Sequence, residues 1–141
     1  MVSDKILSRF KDSPPEGWAD AKDRTISCGP LYEAQEVALL ITESNTIRPS
    51  TQKCSRDIQE LALENDDLAQ LLTRALKAGR YVNSVWCRLS SKAIAACDAY
   101  VVSDKAWVEA AGKELECQYY LKFAIGSSGK LLLMVSCHLS Q

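Results

Sequence analysis

The sequence contains no run of about 18 consecutive apolar residues, the minimum for a membrane-spanning helix, and Met1–Phe10 lacks the apolar centre of a secretory leader. Both absences predict a cytoplasmic protein with no membrane partner. Histidine occurs once, and the six cysteines stand apart at positions 28, 54, 87, 97, 117 and 137 with no Cys-x-x-Cys pair. That pattern excludes a readable zinc cluster or thioredoxin-like motif and predicts buried or semi-buried free thiols, since unpaired cysteine packs as a small apolar residue. No Gly-rich phosphate loop or other cofactor motif is present, so neither cofactor nor metal is expected. Low-complexity tracts are absent and the net charge is only −1, which argues against disorder.

What is present suits one globular domain. The 141 residues are 47% apolar and 25% charged, enough for a self-sufficient core and too few for two comfortable ones. Charge is unevenly spread: residues 1–73 hold 8 Lys and Arg against 13 Asp and Glu, and residues 74–141 hold 9 against 5, giving −5 and +4. An excess of cations in the second half suits an anionic ligand there, although charge of this size is also common on surfaces that bind nothing.

Along the chain, Ser3–Lys11 predicts a short helix ended by Ser13-Pro14-Pro15-Glu16-Gly17. Thr25–Cys28 reads as a short strand and Leu31–Thr42 as a helix with apolar positions at 37, 40 and 41. Ser55–Ala78 is helical in two pieces divided near Asn65. In the second piece Leu68, Leu71, Leu72, Ala75 and Leu76 fall on one face, and Asp66 and Asp67 suit the positive N-terminal end. Strands are predicted at Tyr81–Leu89 and Ile94–Val102, then a helical turn or exposed loop at Ser103–Gly112. The whole is expected to be α+β, with N-terminal helices packed on a small antiparallel sheet that ends in a C-terminal hairpin.

That hairpin comprises Cys117–Ile125 and Lys130–Leu139 around Gly126-Ser127-Ser128-Gly129. A three-residue loop, Ser127–Gly129 with Gly129 left-handed, places Tyr119, Leu121, Phe123 and Ile125 opposite Leu131, Leu133, Val135 and Cys137 on a core face. Gln118, Tyr120, Lys122, Ser136 and His138 then share the other face. A two- or four-residue loop would set Lys122 among the leucines, an unfavourable place for a charge.

The polar face carries the candidate chemistry. Histidine titrates near neutral pH and can move a proton, although a lone histidine is by default an ordinary surface residue. Cleaving RNA without a metal requires a base for the 2′-hydroxyl, an acid for the departing 5′-oxygen and a cation for the charge on phosphorus; Tyr120, Lys122 and His138 can supply all three. Trp86, Trp107 and Tyr81 are candidates to stack on unpaired bases, though aromatics in a domain this size are more often core.

The order of short motifs supports the same chemistry. Arg48 and Thr51 form an Arg-x-x-Thr pattern; Asp98-Ala99-Tyr100 follows an aromatic strand; Tyr120-Leu121-Lys122 matches Tyr-[Leu/Val]-Lys; and Val135-Ser136-Cys137-His138 stands where Val-Ser-Phe-Lys would. Together these resemble the motility quorum-sensing regulator family, ribonuclease toxins of bacterial toxin–antitoxin pairs with a RelE-like α+β fold. The sequence departs from that pattern where Asn83 replaces a lysine, Ala96-Cys97 replace Trp-Gln, and His138 replaces the last lysine. The resemblance implies a toxin-like core at 47–141 behind an N-terminal helical extension at 1–46, all within one domain. It further implies a metal-independent endoribonuclease acting on mRNA by acid/base catalysis, with Tyr120, Lys122 and His138 catalytic and Arg48, Arg80, Tyr81 and Gln118 binding substrate. RNA and a cognate antitoxin are the implied partners. The alternative is a non-catalytic binding or interaction protein of the same fold, with a homo-oligomer left open.

Overall fold

The structure, a computed structural model, describes residues 4–140, and of Ser44 the backbone alone. The elements run β1 (Lys5–Ile6), α1 (Ala21–Arg24), β2 (Thr25–Ile26), α2 (Ala34–Ile41), a 3-10 turn at Ser44–Thr46, β3 (Ile47–Pro49), α3 (Gln52–Glu60), α4 (Asn65–Ala78), β4 (Arg80–Ser90), β5 (Ala93–Val108), β6 (Lys113–Ile125) and β7 (Leu132–Ser140). Seven strands form one mixed sheet in the order β2-β4-β5-β6-β7-β3, with β1 alongside β5. Strand accounts for 43% of the chain and helix for 27%. This overturns the expected α+β fold of N-terminal helices on a small, RelE-like antiparallel sheet: the sheet is the framework, and the helices are short.

The difference arises at two places. β5 continues through Ser103–Val108, within the Ser103–Gly112 segment expected to be a helical turn or exposed loop, and β6 begins at Lys113, ahead of the expected start at Cys117. Apart from Ala106, which is buried, this arm is largely solvated and shows little apolar alternation. It is held by its ladder and by cross-strand pairs such as Lys105 opposite Glu116. The second place is the N-terminal segment. Ser3, the expected start of a helix, lies outside the described residues, and the following residues are extended. Pairing of β5 with β6 ends at Asp98 opposite Phe123, and the segment enters where the two strands part. Leu7 N–H donates to the Ile94 carbonyl at 2.9 Å, Arg9 N–H to the Ile125 carbonyl at 2.7 Å, and Ala96 N–H to Ser8 Oγ at 2.9 Å. Buried strand groups need such partners, and a helix at 3–11 would leave them unpaired. Residues 4–46 thus contribute two strands to the sheet as well as two short helices.

The helices pack on the sheet as their apolar spacing requires. Leu68, Leu71, Leu72 and Ala75 of α4 are buried together with Val37 and Ile41 of α2 and Cys54 and Ile58 of α3, against Tyr119, Leu121, Phe123, Met134 and Cys137 of the hairpin. Each buried leucine contributes about 1.5–3 kcal/mol. The N-terminus of α4 is closed by Asp67, whose carboxylate accepts from Glu64 N–H at 2.8 Å. Among the described residues no helix is long and apolar enough to cross a membrane.

One polar side chain fastens the helical layer to the sheet. Asp98 of β5 is fully buried, and its carboxylate accepts from Leu31 N–H at 2.9 and 3.0 Å, Tyr32 N–H at 3.0 Å and Ser84 Oγ at 2.6 Å. Tyr32 adds a hydroxyl bond to the Ala96 carbonyl at 2.6 Å. Gly29 is required beside this knot, because a Cβ there would stand 2.0 Å from Ser84 Oγ and 2.1 Å from the Tyr81 hydroxyl oxygen. Burial lifts the Asp98 carboxyl above the usual carboxylate range, with the three donors pulling the other way. Asp98→Ala strands those donors and is expected to cost about 3 kcal/mol in urea unfolding at neutral pH. Because the folded-state pKa is raised, the folded chain holds this proton more tightly than the unfolded one. The gap between wild type and Asp98→Ala should therefore widen as pH falls through the folded-state pKa, and a gap that narrows on acidification contradicts the assignment.

Candidate functional site

The terminal hairpin turns through four residues, Ser127–Lys130, not three. Gly126 N–H donates to the Leu131 carbonyl at 2.9 Å, Gly129 N–H donates to the Gly126 carbonyl at 2.9 Å, and Gly129 is left-handed as expected, at φ 76°. Near the turn Phe123 faces Met134 and Ile125 faces Leu132; farther along, Lys122 faces Ser136 and Tyr120 faces His138. Val135 is therefore an extra residue on β7, a β-bulge that reverses the side-chain parity of everything after it. Leu132 and Met134 are buried in place of Leu131 and Leu133; Leu131 is exposed and Leu133 half-buried. The loop rejected on sequence grounds is used, and the bulge removes the objection to it.

Register across the sheet builds two rows on the face carrying Tyr120. Arg80, Val101, Tyr120 and His138 are successive partners across β4, β5, β6 and β7, and Asn83, Ala99, Lys122 and Ser136 form the next row. Tyr120 and His138 stack with ring centroids 5.3 Å apart and planes inclined at 25°, and Lys122 Nζ lies 5.6 Å from the Tyr120 ring centroid. The His138 Nδ1 is 3.1 Å from the Leu139 carbonyl oxygen. A carbonyl only accepts, so Nδ1 carries the proton of that bond and a neutral ring keeps its lone pair on Nε2.

Two small hollows hold predicted site residues, and Tyr120 lines the first. One, of about 180 Å3, is lined by Tyr120 and Lys122 with Arg24 of α1 and Asn83 and Cys87 of β4. The other, of about 210 Å3, is lined by Arg80 and Gln118 with Arg74 from α4. Neither lining includes a carboxylate. A larger groove, about 820 Å3 between β3, α3 and the end of β4, offers a single cation, Arg56, and none of the predicted site residues. Chemistry, not size, favours the two smaller hollows.

Of the seven predicted site residues, Tyr120, Lys122, His138, Arg80 and Gln118 share this face. His138 lies outside the lining of both hollows. Arg48 does not join them: on β3 its guanidinium donates to the Asn45 and Ile47 carbonyls. Tyr81 points to the opposite face, where it bonds Ser84 Oγ at 2.7 Å and meets the Tyr100 ring edge-on at 5.7 Å. Trp86 is buried with its indole N–H on the Ser13 carbonyl at 3.1 Å, while Trp107 on the solvated arm is 57% exposed. Arg24, Arg74 and Cys87 were not singled out from the sequence. The alternation Asn83-Ser84-Val85-Trp86-Cys87 marks Asn83 and Cys87 as facing together, whereas no sequence signal points to Arg24 on its four-residue helix.

The electrostatics of the smaller hollow are unusual. The Cys87 thiol is lowered to about 7 by the neighbouring Cys97 thiol, then by Lys122 and Arg24, against the opposing effect of burial. Burial by itself would depress Lys122, but the neighbouring Cys87 and Tyr120 hold its ammonium above the ordinary lysine range. Among the described residues no group of three or more His, Cys, Asp and Glu is placed to hold a metal. No protein-family model, curated protein or solved structure matches the chain.

Cys87 should therefore be alkylated by iodoacetamide with a rate rising through about pH 7, and Lys122→Gln should move that midpoint upward. A midpoint at the ordinary thiol value in both proteins would contradict the described hollow.

Proposed function

We propose that this protein is an endoribonuclease of the toxin type, acting on single-stranded mRNA and restrained by a cognate antitoxin. The observation that carries the reading is the stacked Tyr120–His138 pair directly opposite one another, with the Lys122 ammonium beside it. Further support comes from the carboxylate-free, cation-lined hollow beside Tyr120, from a second such hollow at Arg80 and Gln118, and from the motif order that resembles the motility quorum-sensing regulator family.

In this reading His138 Nε2 removes the proton of a 2′-hydroxyl, whose oxygen bonds to the adjacent phosphorus. Lys122 stabilises the charge gathering on the phosphoryl oxygens, and the Tyr120 hydroxyl gives its proton to the departing 5′-oxygen as the P–O5′ bond breaks. The products are a 2′,3′-cyclic phosphate and a 5′-hydroxyl end. Arg80, in the same row, binds a flanking phosphate. A binding module that holds RNA without cutting it is the second reading, favoured by the position of His138 outside both hollows.

Expression without a partner should arrest growth, and the purified protein should cut RNA in the presence of a chelator, leaving cyclic phosphate ends. His138→Ala and Tyr120→Phe should each reduce cleavage by about 10²–10⁴-fold. Normal growth at high expression with intact RNA overturns the nuclease; RNA retained uncut with salt-sensitive affinity establishes the second reading instead.

A further inference from the structure

Two buried polar atoms lack a hydrogen-bond partner among the described residues, Arg24 Nε and Asn83 Oδ1, and both residues line the same hollow. A stranded buried donor or acceptor is unfavourable, so two in one small hollow call for an explanation. They are opposite in kind. Nε can only donate, and Oδ1 can only accept. A phosphate would suit Arg24 and Lys122 but would offer Asn83 Oδ1 no proton.

What suits both is a planar group that presents an acceptor beside a donor. The hollow is narrow, about 180 Å3, and Tyr120 supplies an aromatic wall to it. We propose, on the nuclease or RNA-binding reading above, that this hollow holds the base of one unpaired nucleotide and selects the keto bases, guanine and uracil. In these a carbonyl oxygen adjoins a ring N–H: the oxygen faces Arg24 Nε, with Lys122 near, and the N–H faces Asn83 Oδ1. Adenine and cytosine offer a ring nitrogen beside an amino group at the corresponding edge, a poorer match for a cationic donor. Arg24 and Asn83 are thus specificity residues, drawn from α1 and β4, while Tyr120 and Lys122 serve both the hollow and the adjoining reaction centre.

Cys87 lines the hollow and reports its occupancy. The test follows carboxamidomethylation of Cys87 in the full chain at neutral pH by mass spectrometry, with each of the four nucleoside 3′-monophosphates as probe. Guanosine and uridine monophosphates should protect Cys87 at concentrations about tenfold lower than the adenosine and cytidine compounds. Asn83→Leu should abolish that difference, and Arg24→Leu should weaken protection by the two keto nucleotides. Should a variant not fold, the wild-type comparison decides alone. Protection by none of the four, or equal protection by all, overturns the inference, as does an unchanged preference in folded Asn83→Leu. Base-selective protection without any RNA cleavage sinks the nuclease and leaves the hollow standing; cleavage without base-selective protection does the reverse.

Discussion

The site depends on one extra residue. A four-residue turn alone would carry Ser136 and His138 to the helix-covered face, where Tyr119, Leu121 and Phe123 meet α3 and α4. Val135, inserted as a bulge, shifts β7 by one residue, so that Leu132 and Met134 fill the core near the turn and Cys137 fills it beyond, while Ser136 and His138 come round to face Lys122 and Tyr120. A bulge locally breaks the ladder, and here Thr51 compensates: its hydroxyl donates to the Val135 carbonyl at 3.3 Å while its oxygen accepts from Cys54 N–H at 3.0 Å, capping α3. The Arg-x-x-Thr pattern thus has a structural use on this chain, with Thr51 linking the start of a helix to the bulge that sets the register.

The same face is completed from the other end of the chain. Asp98 pins the segment before α2 beneath the sheet, the extended residues 5–9 fill the gap between β5 and β6, and β2 pairs with β4 at Val85 and Ser84. α1, which immediately precedes β2, is thereby held over Asn83 and Cys87, and Arg24 enters the hollow beside Tyr120. Buried polar satisfaction on one face and cation placement on the other are two consequences of a single threading.

Legibility in the sequence followed the strength of local signals. α4 was readable because its apolar stripe is long and uninterrupted, and the centre of the hairpin because large apolar residues alternate. The sharing of one face by Gln118, Tyr120, Lys122 and His138 was also readable, but through a loop length that is not the one used: the expected and actual registers differ by two residues there, and a shift of two preserves parity. That shift changes the partners, placing Tyr120 opposite His138 where the simpler loop sets it opposite Ser136. The β5–β6 arm was hidden because Asp104, Lys105, Glu114 and Glu116 disguise a strand pair that buries little. The strand character of residues 5–9 is a tertiary effect, imposed by unpaired groups of strands almost a hundred residues away. Arg24 could not be found at all, since its role comes from where β2 docks.

The measurement closest to the central claim is an aromatic-resolved NOESY spectrum of the free protein. The bulged register predicts direct cross-peaks between the His138 and Tyr120 rings, whose centroids stand 5.3 Å apart. A His138 ring that shows cross-peaks to Gln118 and none to Tyr120 would mean that the hairpin closes through the three-residue loop, and that the paired site does not exist.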